Sequence, residues 1–264
     1  MRLAVDGMDI FAGTGGRDFD PALPLVVFLH GAALDHTVWA LLARWFAHRG
    51  NAVLAPDLPG HGRSGGGPLS SIAAMADFCA ALIAAAKAKR ARIVGHSMGS
   101  LVALETAARH PQHATAIALI GTAPAMPVAP DLLNAAEAGD HAAIDMMTVW
   151  GYGARAGLGG SLAPGLWMLE VGARLLERAR PGVLYADLSA CNEYHDGLAS
   201  AAKVKVPTTL ILGERDMMTP AKAGRELAAA FPNARVVMLQ GAGHMLMSER
   251  PDEVLAALRI DTRL

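Results

Sequence analysis

The chain has 264 residues, a formal net charge of −1 and 53 % hydrophobic residues, and only 5 % of its residues are aromatic. No apolar run approaches the roughly 18 residues that a membrane-spanning helix needs, and residues 1–7 lack the apolar core of a signal peptide. The sequence also has no basic run. We therefore expect a soluble, cytoplasmic protein that binds neither nucleic acid nor membranes.

Short apolar runs alternate with helical stretches in the first half of the chain. A hairpin with an Asp6-Gly7 turn is expected from Arg2–Val5 and Met8–Ala12. Continuously apolar strands are expected at 25–29, 52–55, 92–95 and 116–121. Helices are expected at 38–49, from Ser70 or Ser71 to about Lys89, and from Met98 to His110. Strands that are apolar throughout and alternate with helices predict a parallel sheet covered on both faces.

This alternation stops near Pro124. Residues 125–202 contain no convincing strand but three helical patches, at 131–138, 141–150 and 166–178. They carry nine acidic and four basic residues. Strands return at 208–213 and 235–239, with a helix from Thr219-Pro220 to Phe231 and another from Pro251. We predict one α/β core, made of residues 1–124 and 203–264, with a helical insertion at 125–202.

The most informative motif is G-x-S-x-G, formed by Gly95-His96-Ser97-Met98-Gly99. It lies between a predicted strand and a predicted helix. Such a turn forces its central residue into a strained conformation and exposes the serine hydroxyl at a helix N-terminus. We therefore interpret Ser97 as a nucleophile rather than an ordinary surface serine.

A serine hydroxyl needs a base, and the base needs an acid that orients it. In an open α/β sheet such groups follow the carboxyl ends of strands. Asp216 follows the strand at 208–213, and His244 follows the strand at 235–239. The order Ser97, Asp216, His244 is the order typical of a G-x-S-x-G elbow. We predict these three residues as a catalytic triad.

These motifs resemble those of the α/β-hydrolase fold family, over nearly the whole chain. The resemblance also covers His30-Gly31 with Trp39, which is similar to an oxyanion segment, and Asp57-Leu58-Pro59-Gly60-His61-Gly62-Arg63-Ser64. The insertion lies where the family carries its helical cap. The nearest group is that of carboxylesterase-like serine hydrolases with a cap. The serine at position 97 disfavours haloalkane dehalogenases and epoxide hydrolases, which have aspartate there.

The resemblance implies that Ser97 attacks an ester, with His244 as general base and Asp216 as orienting acid. It also implies an oxyanion hole from the backbone N–H groups of Ala32 and Met98, with Ala33 as an alternative to Ala32. No metal or cofactor is implied. We interpret His30, His61, His96 and Asp57 as structural, and the widely spaced Cys79 and Cys191 as buried apolar residues.

Methionines flank all three triad positions and recur in the insertion. This pattern is typical either of ordinary core packing or of an adaptable apolar acyl pocket. For the second interpretation we name, as lining residues, Ala33, His96, Met146, Trp150, Met217 and Met245.

The expected function is cleavage of small or medium, largely apolar carboxylic esters, by a monomer or homodimer. The acidic insertion argues mildly against anionic carriers such as acyl-carrier protein. The same triad would also serve a C–C bond hydrolase, a lactonase, a cofactor-free perhydrolase, a thioesterase or an amidase. A receptor of the same fold with slow turnover is a further alternative.

Overall fold

The structure is a computed structural model that describes residues 1–159 and 167–259. Its strands are β1 (Arg2–Val5), β2 (Met8–Gly13), β3 (Leu25–Leu29), β4 (Ala52–Pro56), β5 (Ala91–His96), β6 (Ala114–Ile120), β7 (Thr208–Gly213) and β8 (Ala234–Leu239). In the described part of the chain, no helix is long and apolar enough to cross a membrane.

The described helices before the insertion are α1 (Ala40–Ala47), α2 (Ile72–Ala85) and α3 (Met98–Arg109). Those between β6 and β7 are α4 (Pro130–Ala138), α5 (Ala142–Gly151), α6 (Ala154–Gly157), α7 (Met168–Glu177), α8 (Val183–Asn192) and α9 (Gly197–Lys203). The last are α10 (Ala221–Ala230), α11 (Leu246–Glu249) and α12 (Pro251–Arg259).

The strands form one sheet in the order β1-β2-β4-β3-β5-β6-β7-β8. β1 and β2 pair antiparallel, β2 also pairs antiparallel with β4, and all later neighbours are parallel. The predicted α/β-hydrolase fold, with its mostly parallel sheet, is thereby confirmed.

Successive residues of each central strand enter two different buried clusters. In β3, Leu25, Val27 and Leu29 belong to the cluster that α2 and α3 cover, whereas Val26 and Phe28 belong to the cluster that α1 and α12 cover. Because side chains alternate across a strand, a strand packed by helices on both faces must be apolar throughout. This explains why the central strands could be read from the sequence as continuous apolar runs.

The parallel register brings the carboxyl ends of the central strands to one edge of the sheet. Leu29 of β3 pairs with Gly95 of β5, and His96 pairs with Ile120 of β6. Ile120 in turn pairs with Ile211 of β7. The loops that begin at His30, Ser97, Gly121 and Glu214 therefore converge.

Residues 125–202 are called the cap segment from here on. Their described part contains helices and no strand. Two of the predicted patches correspond to α4 and α5. The third corresponds to α7, although Leu166, its predicted first residue, lies outside the described residues. The sequence missed α6, α8 and α9, and the bounds of the cap segment as a domain stay a prediction.

Two other local expectations have different outcomes. Ser71 caps α2 as predicted, since its side chain accepts a hydrogen bond from the Ala74 N–H. The predicted helix at 38–49 is wrong in detail: a 3₁₀ turn occupies His36–Trp39, and α1 follows it. The Asp35 side chain caps that turn by accepting from the Thr37 N–H at 2.8 Å.

Gly99 offers a test of how tightly the sheet and α3 pack. A Cβ atom there would lie 2.3 Å from the Leu29 carbonyl oxygen and 2.6 Å from that of His30. Gly99→Ala should therefore lower the free energy of unfolding by about 1–3 kcal/mol or more, measured by urea denaturation. At the exposed Gly67, a Cβ atom would meet nothing within 4 Å. Gly67→Ala should thus stay within about 0.5 kcal/mol of wild type. Equal stability of Gly99→Ala and wild type would contradict this packing.

Candidate active site

Ser97 occupies the strained turn between β5 and α3. Its φ of 52° and ψ of −121° lie where a residue with a side chain is rarely found. The turn is tight because a Cβ atom at Gly95 would lie 1.9 Å from the Gly99 carbonyl oxygen. The Ser97 N–H donates to the Ile120 carbonyl at 2.9 Å, which ties the turn to β6. The sequence-predicted elbow is therefore present.

Asp216 and His244 lie in contact, in the loops that follow β7 and β8. His244 Nδ1 donates to Asp216 Oδ2 at 2.9 Å, and both residues are buried. Burial alone would raise the pKa of Asp216, but the charge and the hydrogen bond of His244 outweigh it and hold that pKa below its usual value. An ionised aspartate on Nδ1 directs Nε2 to act as the proton acceptor.

Thr219 belongs to this network, although the sequence predicts it only as the start of a helix. Its Oγ1 donates to Asp216 Oδ2 at 2.7 Å and lies 3.2 Å from His244 Nδ1. The N–H groups of Met218 and Thr219 donate to Asp216 Oδ1 at 2.9 and 2.8 Å. Asp216 thus closes a turn of its own loop through these hydrogen bonds. The N-cap position of α10 is occupied by Pro220 and not by Thr219. In the sequence Thr219 follows Asp216 by three residues, and this spacing is the signal from which their contact could have been predicted.

Ser97 and His244 border the same cavity, but no hydrogen bond joins them among the described residues. His244 Nε2 is buried and has no partner there. Catalytic hydrogen bonds are commonly long before substrate binds and tighten in the complex. The structure therefore brings Ser97 and His244 to one cavity, and Asp216 contacts His244 on the side of Nδ1.

The loop after β3 passes directly over the nucleophile. A Cβ atom on Gly31 would lie 3.2 Å from Ser97 Cβ. Among the backbone hydrogen bonds of the described residues, the N–H groups of Ala32 and Met98 have no acceptor. Met98 opens α3, where such free N–H groups are expected. Both groups are thus available to an oxyanion beside Ser97.

Ala33 is not available in this way. Its N–H donates to Asp187 Oδ2 at 2.8 Å. The structure therefore favours Ala32 and excludes Ala33, which the sequence left open as an alternative.

Three histidines around the site have structural partners. His30 accepts from the Leu58 N–H at 3.1 Å, and burial together with the neighbouring His61 charge lowers its pKa to about 4. His96 Nε2 donates to the His244 carbonyl at 2.9 Å. Burial and the charge of His244 lower the pKa of His96 to about 3, so His96 stays neutral. His61 is held by Asp187 at 2.7 Å.

Two cavities meet at Ser97. The first, of about 400 Å³, is also bordered by His96, His244 and Met245 and by residues of α5 and α7. The second, of about 650 Å³, lies against the cap segment. The residues common to both are Ala32, Ser97, Met147 and Met218.

The structure places four of the six predicted pocket residues at these cavities. His96 and Met245 line the first cavity, Trp150 lines the second, and Met217 lies on the rim of the second with 67 % of its surface exposed. Met146 and Ala33 line neither cavity. Met147 lines both cavities in place of Met146, because adjacent residues of a helix point about 100° apart. Ala33 borders a separate hollow beside His61 and Arg178.

One cluster of side chains has the residue types of a metal site. It consists of Asp35, His36 and Asp57, and one potential metal-ligand atom from each lies within 4.8 Å of the other two. The cluster has its own hydrogen bonds: Asp57 Oδ1 accepts from His36 Nδ1 at 2.8 Å, and Oδ2 accepts from the Arg63 N–H at 2.8 Å. Asp57 ties down its loop, as expected.

A family model described as "Alpha/beta hydrolase family" matches residues 26–257. A pimeloyl-[acyl-carrier protein] methyl ester esterase of Chromobacterium violaceum is 32 % identical over 263 residues, which cover 95 % of this chain and 97 % of that protein.

Solved structures give the same fold. An enol-lactonase from Burkholderia xenovorans LB400 superimposes with a TM-score of 0.87 at 24 % identity, covering 99 % of this chain and 98 % of the other. A thermophilic esterase gives a TM-score of 0.80 at 28 % identity, covering 100 % of this chain and 96 % of the other.

Asp216→Asn should lower kcat for p-nitrophenyl butyrate by about 10⁴-fold, because the amide holds the wrong tautomer of His244. The matched control is Glu214→Gln in the same loop. Glu214 accepts from the Gly241 N–H at 2.9 Å and is partly exposed, away from His244. The kcat of Glu214→Gln should stay within about threefold of wild type, because substitutions at such surface positions usually have small effects. Equal losses in both variants would contradict the assignment of Asp216.

Proposed function

Because the chain belongs to the α/β hydrolase family, we propose that it cleaves carboxylic esters through an acyl-enzyme formed on Ser97. His244 takes the proton of Ser97 Oγ as this oxygen attacks the ester carbonyl. The Ala32 and Met98 N–H groups stabilise the oxyanion, a contribution of about 3–4 kcal/mol from each such donor.

The acyl-enzyme then forms and is hydrolysed in two proton-balanced steps. The imidazolium of His244 gives its proton to the leaving alkoxide, and the C–O bond of the ester breaks. His244 next removes a proton from a water molecule, whose oxygen attacks the acyl carbon. Collapse of that intermediate returns the proton to Ser97 and releases the acid.

The observation that carries this proposal is the contact of Asp216 with His244 beside a strained Ser97. Asp216 holds Nδ1, and Nε2 remains without a partner on the cavity that Ser97 borders. His61, in contrast, has both ring nitrogens engaged and does not line either cavity. The esterase relatives support the same reaction class, as the sequence predicted.

The two cavities support an assignment of the two halves of the substrate. His244 lines the first cavity and does not line the second. Since His244 must protonate the leaving oxygen, the alcohol part belongs in the first, smaller cavity and the acyl part in the second. Apart from His96 and His244, the titratable side chains of the described residues that line these cavities are Tyr152 in the first and Cys191 in the second. Burial raises the pKa of both, so that neither carries a charge at neutral pH, and an uncharged acyl chain fits best.

The carrier of that acyl chain is a separate question. The Chromobacterium violaceum relative is named for a methyl ester on an acyl-carrier protein, and a small alcohol with a long acyl chain fits the sizes of the two cavities. However, the cap segment carries nine acidic and four basic residues. An acidic carrier protein would be repelled by that charge if it docked there. We therefore favour free, uncharged esters.

Ser97→Ala should lower kcat/KM for p-nitrophenyl esters, from acetate to laurate, by at least about a thousandfold, since it removes the nucleophile. Ser70→Ala, at an exposed serine, is the matched control and should behave as wild type. Absence of activity in the wild type, or activity retained in Ser97→Ala, would refute the proposal of ester hydrolysis. Substrates with a hydrolysable C–C bond would then be tested.

Leu132→Phe should shift the preferred acyl chain of the same series to shorter lengths, because Leu132 lines the second cavity and a larger side chain reduces its volume. Leu133→Phe is the matched control on the same helix. Leu133 packs against the core and does not line that cavity. An unchanged chain-length profile in Leu132→Phe would contradict the acyl assignment.

A further inference from the structure

A buried carboxylate of the cap segment contacts the loop after β3. This loop carries Ala32 and Ala33 and is called the oxyanion loop from here on. Asp187 lies on α8, 154 residues from Ala33 in sequence, and is 0 % exposed. One oxygen, Oδ2, accepts two hydrogen bonds, from the Ala33 N–H at 2.8 Å and from His61 Nε2 at 2.7 Å. The other oxygen, Oδ1, is buried and has no partner among the described residues.

His61 can carry a charge that compensates that of a buried carboxylate. Its Nδ1 faces the Pro59 carbonyl at 3.0 Å and its Nε2 faces Asp187, so both ring nitrogens have acceptors and both can be protonated. Burial lowers the pKa of His61, but the hydrogen bond and charge of Asp187 outweigh this and leave that pKa raised. A carboxylate with such a hydrogen-bonded partner can remain buried.

The hydrogen bond from Ala33 to Asp187 lies at a residue of the oxyanion loop whose backbone is strained. Ala33 has a φ of 54°, in the left-handed region that an alanine adopts at a cost of about 1–2 kcal/mol. Its peptide follows directly on Ala32, whose N–H is free to bind an oxyanion. The Ala33 N–H belongs to the peptide that joins Ala32 to Ala33, so its hydrogen bond to Asp187 fixes the orientation of that peptide and, through Ala32, restricts the direction of the Ala32 N–H. The Leu34 N–H, which donates to the Gly31 carbonyl at 3.2 Å, closes the same turn.

We propose that Asp187 is a positioning residue of the active site, acting through Ala33 to aim the Ala32 N–H at the oxyanion. The inference rests on the proposed ester hydrolysis. It makes the cap segment part of the catalytic apparatus, because the group that orients one oxyanion donor comes from α8.

A second buried carboxylate provides a matched control. Glu105 on α3 also accepts two hydrogen bonds, from Tyr194 Oη at 2.9 Å and from Ser200 Oγ at 2.7 Å. It joins the core to the same part of the chain but lines neither cavity. Its loss should weaken the fold without changing the geometry of the oxyanion hole.

The experiment compares wild type, Asp187→Ala, Asp187→Asn and Glu105→Ala. For each, the active sites are counted with a fluorophosphonate, and kcat and KM for p-nitrophenyl butyrate are then expressed per active site. Two further quantities are measured for each variant: the inhibition constant of butylboronic acid and the melting temperature. Butylboronic acid forms a negatively charged tetrahedral adduct with serine.

Asp187→Ala should lower kcat by about 10- to 100-fold, less than outright loss of an oxyanion donor, because the Ala32 N–H is displaced rather than removed. KM should stay within about threefold, and the inhibition constant of butylboronic acid should rise by the same factor as kcat/KM falls. Asp187→Asn keeps an uncharged acceptor and should give a smaller loss of about 3- to 10-fold, since charge-assisted hydrogen bonds are stronger.

Glu105→Ala should lower the melting temperature but leave kcat per active site and the inhibition constant unchanged. The proposal is overturned if Asp187→Ala behaves in the same way. Should Asp187→Ala not fold, wild-type kcat and inhibition constant per active site in Asp187→Asn would overturn it. Absence of Ser97-dependent turnover in the wild type would instead refute the proposed ester hydrolysis, so the two failures are distinguishable.

Discussion

The parallel pairing of β3, β5, β6 and β7 is the constraint on which the site depends. Hydrogen bonds between these strands align their carboxyl ends, so that four loops distant in sequence begin at one edge of the sheet. The alignment continues into the loops: the Ser97 N–H donates to Ile120 of β6, and the Gly121 N–H donates to Ile211 of β7. The position of Ser97 relative to the loop of Ala32 and to the loop of Asp216 is therefore set by the sheet. The parallel pairing of β7 with β8 extends this alignment to the loop of His244.

The cap segment stabilises both sides of this site. The carbonyl of Gly151, at the end of α5, accepts from the N–H groups of His244 and Met245 at 3.0 and 2.9 Å. Glu249 adds a second link, since its carboxylate accepts from Gly153 at 3.0 Å and from Gly243 at 3.1 Å. The loop of the base and, through Asp187, the oxyanion loop are thus tied to the segment that also borders the substrate cavities.

Much of this could be predicted from sequence because it depends on local patterns. Apolar runs specify strands that are buried on both faces, and Gly95, Ser97 and Gly99 specify the elbow. The contacts that could not be predicted join distant residues. Nothing near Asp187 in sequence indicates that it would bind Ala33. Thr219 is predicted as a helix cap because Pro220 follows it, whereas its side chain contacts Asp216 and His244. The choice between Met146 and Met147 depends on the rotation of α5 about its axis.

Mass spectrometry can detect the acyl-enzyme on Ser97 on which the proposed reaction depends. Wild-type protein is mixed with p-nitrophenyl butyrate, quenched in acid during turnover, digested and mapped. We expect the added mass of one butyryl group on the peptide that contains Ser97, and no added mass in Ser97→Ala. Turnover without any acylated peptide, or acylation at another residue, would rule out Ser97 as the nucleophile.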